Sequence, residues 1–149
     1  MSVKPYKTIL VPIDGSESSQ LALEHAIYLA ELCPTTITLV HVVNLAAVPA
    51  LSPYDQGYYT LFKELQDALE AAGKKIIAEA TLKIPEIIKS TSSLEFGSPG
   101  HIIIEFAEKY QADLIIMGSR GLGPVKGLLM GSVSNYVSGH ATVPVMLVK

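Results

Sequence analysis

A chain of 149 residues, 49% hydrophobic and 17% charged, is long enough for one domain with a sizeable core and too apolar for a disordered tail. Its single cysteine, Cys33, excludes an internal disulfide, and no Cys/His cluster has the spacing of a zinc site. The lysine-bearing start, MSVKPYKTILVP, holds an apolar run too short for a signal peptide, and no stretch approaches the ~18 apolar residues of a membrane span. These features point to a soluble cytoplasmic protein of one domain, residues 1–149, without a membrane partner.

The net charge of −3 is unevenly spread. All fourteen acids lie between Asp14 and Asp113, against eight lysines over residues 1–113, so that part carries −6. Residues 114–149 contain Arg120, Lys126, Lys149 and no acid, hence +3. The acidic balance and the lack of a basic stripe argue against nucleic acid as a partner. The acid-free final quarter fits a small anionic ligand; it equally fits a sheet-burying tail with few charges.

The first apolar run, Lys7–Ile13, is short and β-branched, and Asp14-Gly15-Ser16 closes it as a turn. Ser16 is a candidate N-cap, with Glu17 in the first turn of the helix that follows. Leu23, Ala26, Ile27 and Ala30 recur with helical spacing until Cys33-Pro34 ends the pattern. A second strand, Thr36–Val43, is nearly all apolar, as a parallel strand covered on both faces should be. Residues 44–58 contain Pro49, Pro53 and Gly57 without a period and read as a loop.

A long helix is expected over 59–82, with Leu65, Ala68, Leu69, Ala72 and Ile76 on its buried face, then a third strand near Ser90–Phe96. Ser98-Pro99 opens a helix whose stripe is Ile103, Phe106, Ala107 and Tyr110, proline being tolerated at the first helical position. The fourth strand is Leu114–Met117. A last helix starts near Gly131-Ser132, with Val133, Tyr136, Val137 and His140 on one face, and Val145–Val148 makes the fifth strand. This alternation defines an α/β protein with a doubly wound parallel sheet and helices on both faces. Ligands of such sheets bind beyond the carboxyl ends of the strands, where the strand order reverses.

The segment that carries chemistry is Gly118-Ser-Arg-Gly121-Leu-Gly123-Pro-Val-Lys126-Gly127-Leu-Leu-Met-Gly131-Ser132-Val-Ser134. Glycines allow backbone to approach a phosphate, and a helix start at Gly131–Ser134 adds free N–H donors. Ser132 and Ser134 bring hydroxyls; Arg120 and Lys126 bring charge. The loop is no Walker A motif, because Pro124-Val125 stands where Lys-Ser/Thr is required, and the single glycine of Asp14-Gly15-Ser16 does not make a dinucleotide fingerprint. Thirteen residues separate Met117 from Gly131, against ~2–6 for an ordinary connection of this type.

Gly118, Gly121, Gly131 and Ser132 match the signature Gly-x2-Gly-x9-Gly-(Ser/Thr), and with it the chain resembles the universal stress protein family, of the nucleotide-binding type. Pro12-Ile13-Asp14-Gly15-Ser16, His41-Val42, Gly97-Ser98-Pro99, Ala112 to Ser119 and the closing Val143-Pro144-Val145-Met-Leu-Val-Lys149 extend the likeness over essentially all of the chain. The resemblance implies a five-stranded sheet in the order 3-2-1-4-5 with ATP across the first and fourth strands. It places Pro12, Ile13 and Asp14 near base and ribose and Val42 on adenine. Met117, Gly118, Arg120 and Gly121 would line the ribose and phosphate path, and Gly131, Ser132, Val133 and Ser134 would hold the phosphates, with Mg2+ or a similar divalent cation shared with the triphosphate.

Three function classes follow: an ATP-binding stress-response or regulatory protein, a slow ATPase or adenylyl-transfer enzyme, and an interaction module without nucleotide. The intact signature favours the first, and a last quarter with no carboxylate side chain counts against efficient hydrolysis. Asp14 could alternatively serve an Asx turn or cap, and the serines could simply cap the last helix. His25 and His101 read as helix-surface residues, His41 as a sheet-end residue and Cys33 as a structural thiol. If Val145–Val148 is the sheet edge, it is a template for a homodimer; the alternative is a monomer with that edge covered by residues 44–58.

Overall fold

The structure is a computed structural model of the chain and describes residues 2–47, 56–122 and 130–149. Ten elements alternate as expected: β1 (Thr8–Pro12), α1 (Glu17–Leu32), β2 (Thr36–Val43), a 3-10 turn (Leu45–Ala47), α2 (Gln56–Lys83), β3 (Ser90–Phe96), α3 (Pro99–Lys109), β4 (Leu114–Gly118), α4 (Ser132–His140) and β5 (Val145–Val148). The strands form one sheet in the order β3-β2-β1-β4-β5, every neighbouring pair parallel. The order reverses direction between β1 and β4, so their carboxyl ends flank the switch point.

Side chains alternate across the strands, and in β1, β2 and β4 both sets are largely apolar because both faces are covered, whereas the edge strand β3 is mostly polar and half-buried or exposed. Ile9, Val11, Ile37, Leu39 and Ile116 are buried toward α1 and α2. Leu10, Val40, Ile115 and Met117 are buried toward α3 and α4, against Ile103, Phe106 and Val137. At the base of the sheet Asp113 closes the layers: its Oδ2 accepts the N–H groups of Lys7 at 2.7 Å and Thr8 at 2.9 Å. The start of β1 is thereby tied to the turn that enters β4.

Local details differ from the sequence expectation in four places. Helix α2 begins at Gln56, inside the expected loop, and its partly or fully buried face runs through Leu65, Leu69, Gly73, Ile76, Ile77 and Ala80, leaving Ala68 and Ala72 exposed. Gly73 lies directly against Leu94 and His41 of the sheet, and the alanines flank that contact on the outward side. Ser98 makes no side-chain cap, although Pro99 does open α3. Tyr110 ends α3 half-exposed, its ring 5.0 Å from that of Phe106 with the Lys109 ammonium over both. His140 is exposed too, stacked on Tyr136 with its Nδ1 2.8 Å from the Tyr136 carbonyl. Both residues sit in a last helical turn, where rings can cover a neighbour without entering the core.

Ser16 caps α1 as expected, its Oγ accepting the Ser19 N–H at 3.2 Å. The middle of the glycine-rich segment, including Lys126, and residues 48–55 of the expected 44–58 loop lie outside the described residues.

Candidate functional site

The carboxyl ends of β1 and β4 are joined by the first turn of α1. Gly118 lies against Ser18 so closely that a Cβ on it would come 2.9 Å from the Ser18 backbone carbon and strike the Ser18 hydroxyl. Ser18 Oγ in turn donates to the Arg120 carbonyl at 2.6 Å. Only glycine permits that approach, which turns the chain leaving β4 across the end of β1.

The two ends of the glycine-rich segment then meet. The Ser119 carbonyl accepts the Gly131 N–H at 2.7 Å and the Ser134 hydroxyl at 2.7 Å, while the Ser119 N–H donates to Val148 O at 2.7 Å. A Cβ built on Gly131 would lie 3.7 Å from Arg120 Cα and 3.8 Å from Gly121 N. Residues 118–121 and 131–134, thirteen apart in sequence, therefore form one surface above the switch point.

Asp14 leaves β1 at the same place. Its Oδ1 accepts the Ser16 N–H at 2.9 Å in an Asx turn, and its N–H reaches Ser19 Oγ at 3.4 Å. Oδ2 is turned toward Gly121, where a Cβ would come within 2.9 Å of it. One oxygen of the carboxylate is thus held in the turn while the other faces the glycine-rich segment.

The remaining predicted residues contribute position more than side chains. Ile13 is buried against α1 and α2, its N–H bonded to Val40 O at 2.9 Å and its carbonyl to His41 Nδ1 at 2.7 Å. Met117 is buried under α3 and α4, so it can offer a ligand only main chain, and the partly buried Val133 packs against the same cluster. Pro12 ends β1 opposite Val40, and Val42 lies at the same end of the sheet on β2, packed toward α3. Arg120 is exposed, and its guanidinium has no ion-pair partner among the described residues.

The residues present suit an anion. Ser132, Val133 and Ser134 form the first turn of α4, and their N–H groups have no partner among the described residues. Such donors and the positive end of the helix favour phosphate. The nearest protein atom to a Cβ on Gly131 is 3.6 Å away, so the space beside it is open. Gly131 has φ −76° and ψ 165°, and Gly118 and Gly121 are not among the positive-φ residues, so none of these three is needed for left-handed backbone. Ser134 Oγ spends its one hydrogen inside the protein, leaving its N–H for a ligand.

Sequence reasoning missed Ser18, Ser119 and His41 as parts of the site. All three act through main-chain carbonyls that only the tertiary structure brings near. A cleft of about 380 Å³ opens beside Asp14 between α1 and α2, and a larger one of about 470 Å³ lies around Pro34, Thr35 and Ile88 at the opposite end of the sheet.

Known proteins match the chain over nearly its whole length. The model of the universal stress protein family matches residues 5–149, and the chain belongs to that family. It is 37% identical over 147 residues to universal stress protein MJ0531 of Methanocaldococcus jannaschii, covering 97% of this chain and 82% of that one. Universal stress protein UspA from Lactobacillus plantarum superimposes with a TM-score of 0.86 at 25% identity, over 99% of this chain and 100% of that one. More distant structures of the fold include a universal stress protein in complex with cAMP (23% identical over 98% of both chains, TM-score 0.61) and one from Archaeoglobus fulgidus in complex with dAMP (21%, over 98% of this chain and 100% of that one, TM-score 0.57).

Proposed function

We propose that this universal stress protein is a cytoplasmic regulatory protein that binds ATP with Mg2+ or a similar divalent cation. The observation that carries the reading is the double latch on the Ser119 carbonyl, which sets the Gly118–Gly121 backbone beside the N-terminus of α4. The N–H groups of Ser132, Val133 and Ser134 and the Ser132 hydroxyl would hold the phosphates, with Arg120 adding charge. Gly118, Gly121 and the Met117 main chain would line the path to the ribose. Pro12, Ile13, Asp14 and Val42 would form the side that meets the nucleoside, with Asp14 Oδ2 as the acceptor aimed at it. A divalent cation would screen the triphosphate, and a cation that keeps most of its water and phosphate ligands asks few side chains of the protein. The adenine nucleotides bound by distant members of the fold agree with this choice of base.

Release and mass spectrometry of nucleotide from the purified, denatured protein tests the proposal, followed by calorimetric titration of ATP–Mg2+ into the stripped protein. Co-purified or titratable ATP supports it. A protein that carries no nucleotide and gives no heat with millimolar ATP belongs instead to the class of interaction modules.

A further inference from the structure

We infer that His41 is a positioning residue of the nucleotide site, acting through the Ile13-Asp14 peptide; this rests on the ATP-binding reading above. The imidazole is half-buried at the end of β2, with Nδ1 2.7 Å from the Ile13 carbonyl oxygen. A carbonyl only accepts, so Nδ1 must carry the proton. With the Ile13 N–H on Val40 O, the Asp14 N–H directed to Ser19 Oγ and Asp14 Oδ1 on the Ser16 N–H, the chain leaving β1 is held from β2 on one side and α1 on the other. The oxygen left facing the glycine-rich segment is Asp14 Oδ2. His41 supplies the only side-chain bond in this set that comes from across the sheet, and it fixes the peptide plane immediately before Asp14.

The ring is itself held. Helix α2 crosses it at Gly73, where a Cβ would come 2.7 Å from His41 Cδ2 and 2.6 Å from Leu94 Cδ1. A methyl group there must push the ring or the helix aside, since real Cβ atoms do not approach so closely. The chain of contact therefore runs from the middle of α2 through the imidazole to the Ile13 carbonyl and on to Asp14, and neither Gly73 nor His41 need touch the ligand. Rotating the peptide plane would swing Oδ2 away from Gly121 while leaving the phosphate donors of α4 unchanged.

Three substitutions test this. His41→Leu removes the donor, His41→Asn keeps a nitrogen donor near the place of Nδ1, and Gly73→Ala displaces the ring from behind. ATP affinity is measured by calorimetry below the melting transition of each variant, so that a loss of stability alone does not register. His41→Leu and Gly73→Ala should weaken ATP ~10-fold or more, the scale of one misplaced bond to a ligand group, while His41→Asn stays within about threefold of wild type. Nitrogen-15 spectra of the wild-type ring should show Nδ1 protonated, a readout that needs no nucleotide and no variant. Equal affinity in wild type and His41→Leu, or a ring with Nδ1 unprotonated, overturns the positioning role while leaving ATP binding intact. Wild-type protein that binds no ATP removes the proposed function itself, and the positioning role falls with it.

Discussion

Ser134 donates its hydroxyl hydrogen to the carbonyl of Ser119 at 2.7 Å, and both residues are only 2% exposed. Fifteen positions of chain begin and end on that one bond, so it closes the glycine-rich segment while α4 itself carries no side-chain cap. Ser134→Ala leaves the Gly131 N–H as the carbonyl's remaining donor. The expected cost is about 1 kcal/mol, the net worth of one hydrogen bond, or roughly 2–4 °C in a thermal melt for a domain of this size. ATP affinity should fall as well, because the two halves of the phosphate surface are no longer held together.

Gly131 and Gly118 should respond oppositely to a side chain. The backbone of Gly131 is extended and its surroundings are open, so Gly131→Val should fold, at a cost of about 1 kcal/mol or less for a poorer residue at the helix start. Its branched side chain would occupy the space a phosphate needs, and titration should find no ATP binding. Gly118→Ala drives a methyl group into Ser18 and should destabilise by about 1–3 kcal/mol, the usual cost of overpacking. Melting curves with and without millimolar ATP separate the two effects.

The fold was legible because its signals are local. Short β-branched runs, a proline at the start of α3 and a serine at the start of α1 each mark an element by backbone chemistry alone. The glycine spacing likewise carried the resemblance to the universal stress protein family. What could not be read was which polar group each residue would face. An Asx turn at Asp14 is legible in the sequence, but nothing there shows that Oδ2 is left facing Gly121, and nothing around Ser119 marks its carbonyl as the latch. Ala68 and Ala72 were misplaced for a related reason: the helical period is clear, but the phase of α2 is set by Gly73 meeting His41 and Leu94 across the layer.

Hydrolysis of ATP by the protein alone should be slow. Asp14 is the acid brought to the end of β1, and half of its carboxylate is committed to the Asx turn. It faces Gly121, while the proposed phosphate donors lie on α4, so among the described residues no carboxylate is placed to orient water at a terminal phosphate. Phosphate release from purified protein should fall well below the ~1–10³ s⁻¹ of ordinary enzymes. A rate inside that range that disappears in Asp14→Asn would make the protein an ATPase.

Asp113 gives a control remote from the site. Its Oδ2 takes two main-chain donors at the opposite end of the sheet, so Asp113→Ala leaves the N–H groups of Lys7 and Thr8 without their acceptor. Because the Lys7 end is exposed and water can replace one bond, the expected loss is about 1.5 kcal/mol, the low end for a charged partner. Denaturant melts should show that loss with ATP affinity unchanged. A drop in affinity would mean that β1 moves as a unit from Thr8 to Asp14.

The final prediction concerns association. β5 is the edge of the sheet, and a self-complementary pairing of two such edges about a two-fold axis would give a homodimer through Val145–Val148. The hydrogen-bond pattern decides which residue to change. The Pro144 carbonyl accepts the Ile115 N–H, and the Val148 carbonyl accepts the Ser119 N–H, so alternate residues 144, 146 and 148 turn their main-chain groups toward β4. The donors facing outward therefore belong to Val145 and Leu147. Met146→Pro would break the sheet itself, whereas Leu147→Pro removes an outward donor and should spare the β4–β5 ladder. Sedimentation equilibrium at micromolar concentration should show twice the 16.0 kDa chain mass for wild type and a shift toward monomer for Leu147→Pro, with circular dichroism unchanged. A wild-type species of 16.0 kDa would exclude the dimer, and a dimer that survives Leu147→Pro intact would place its interface elsewhere on the molecule.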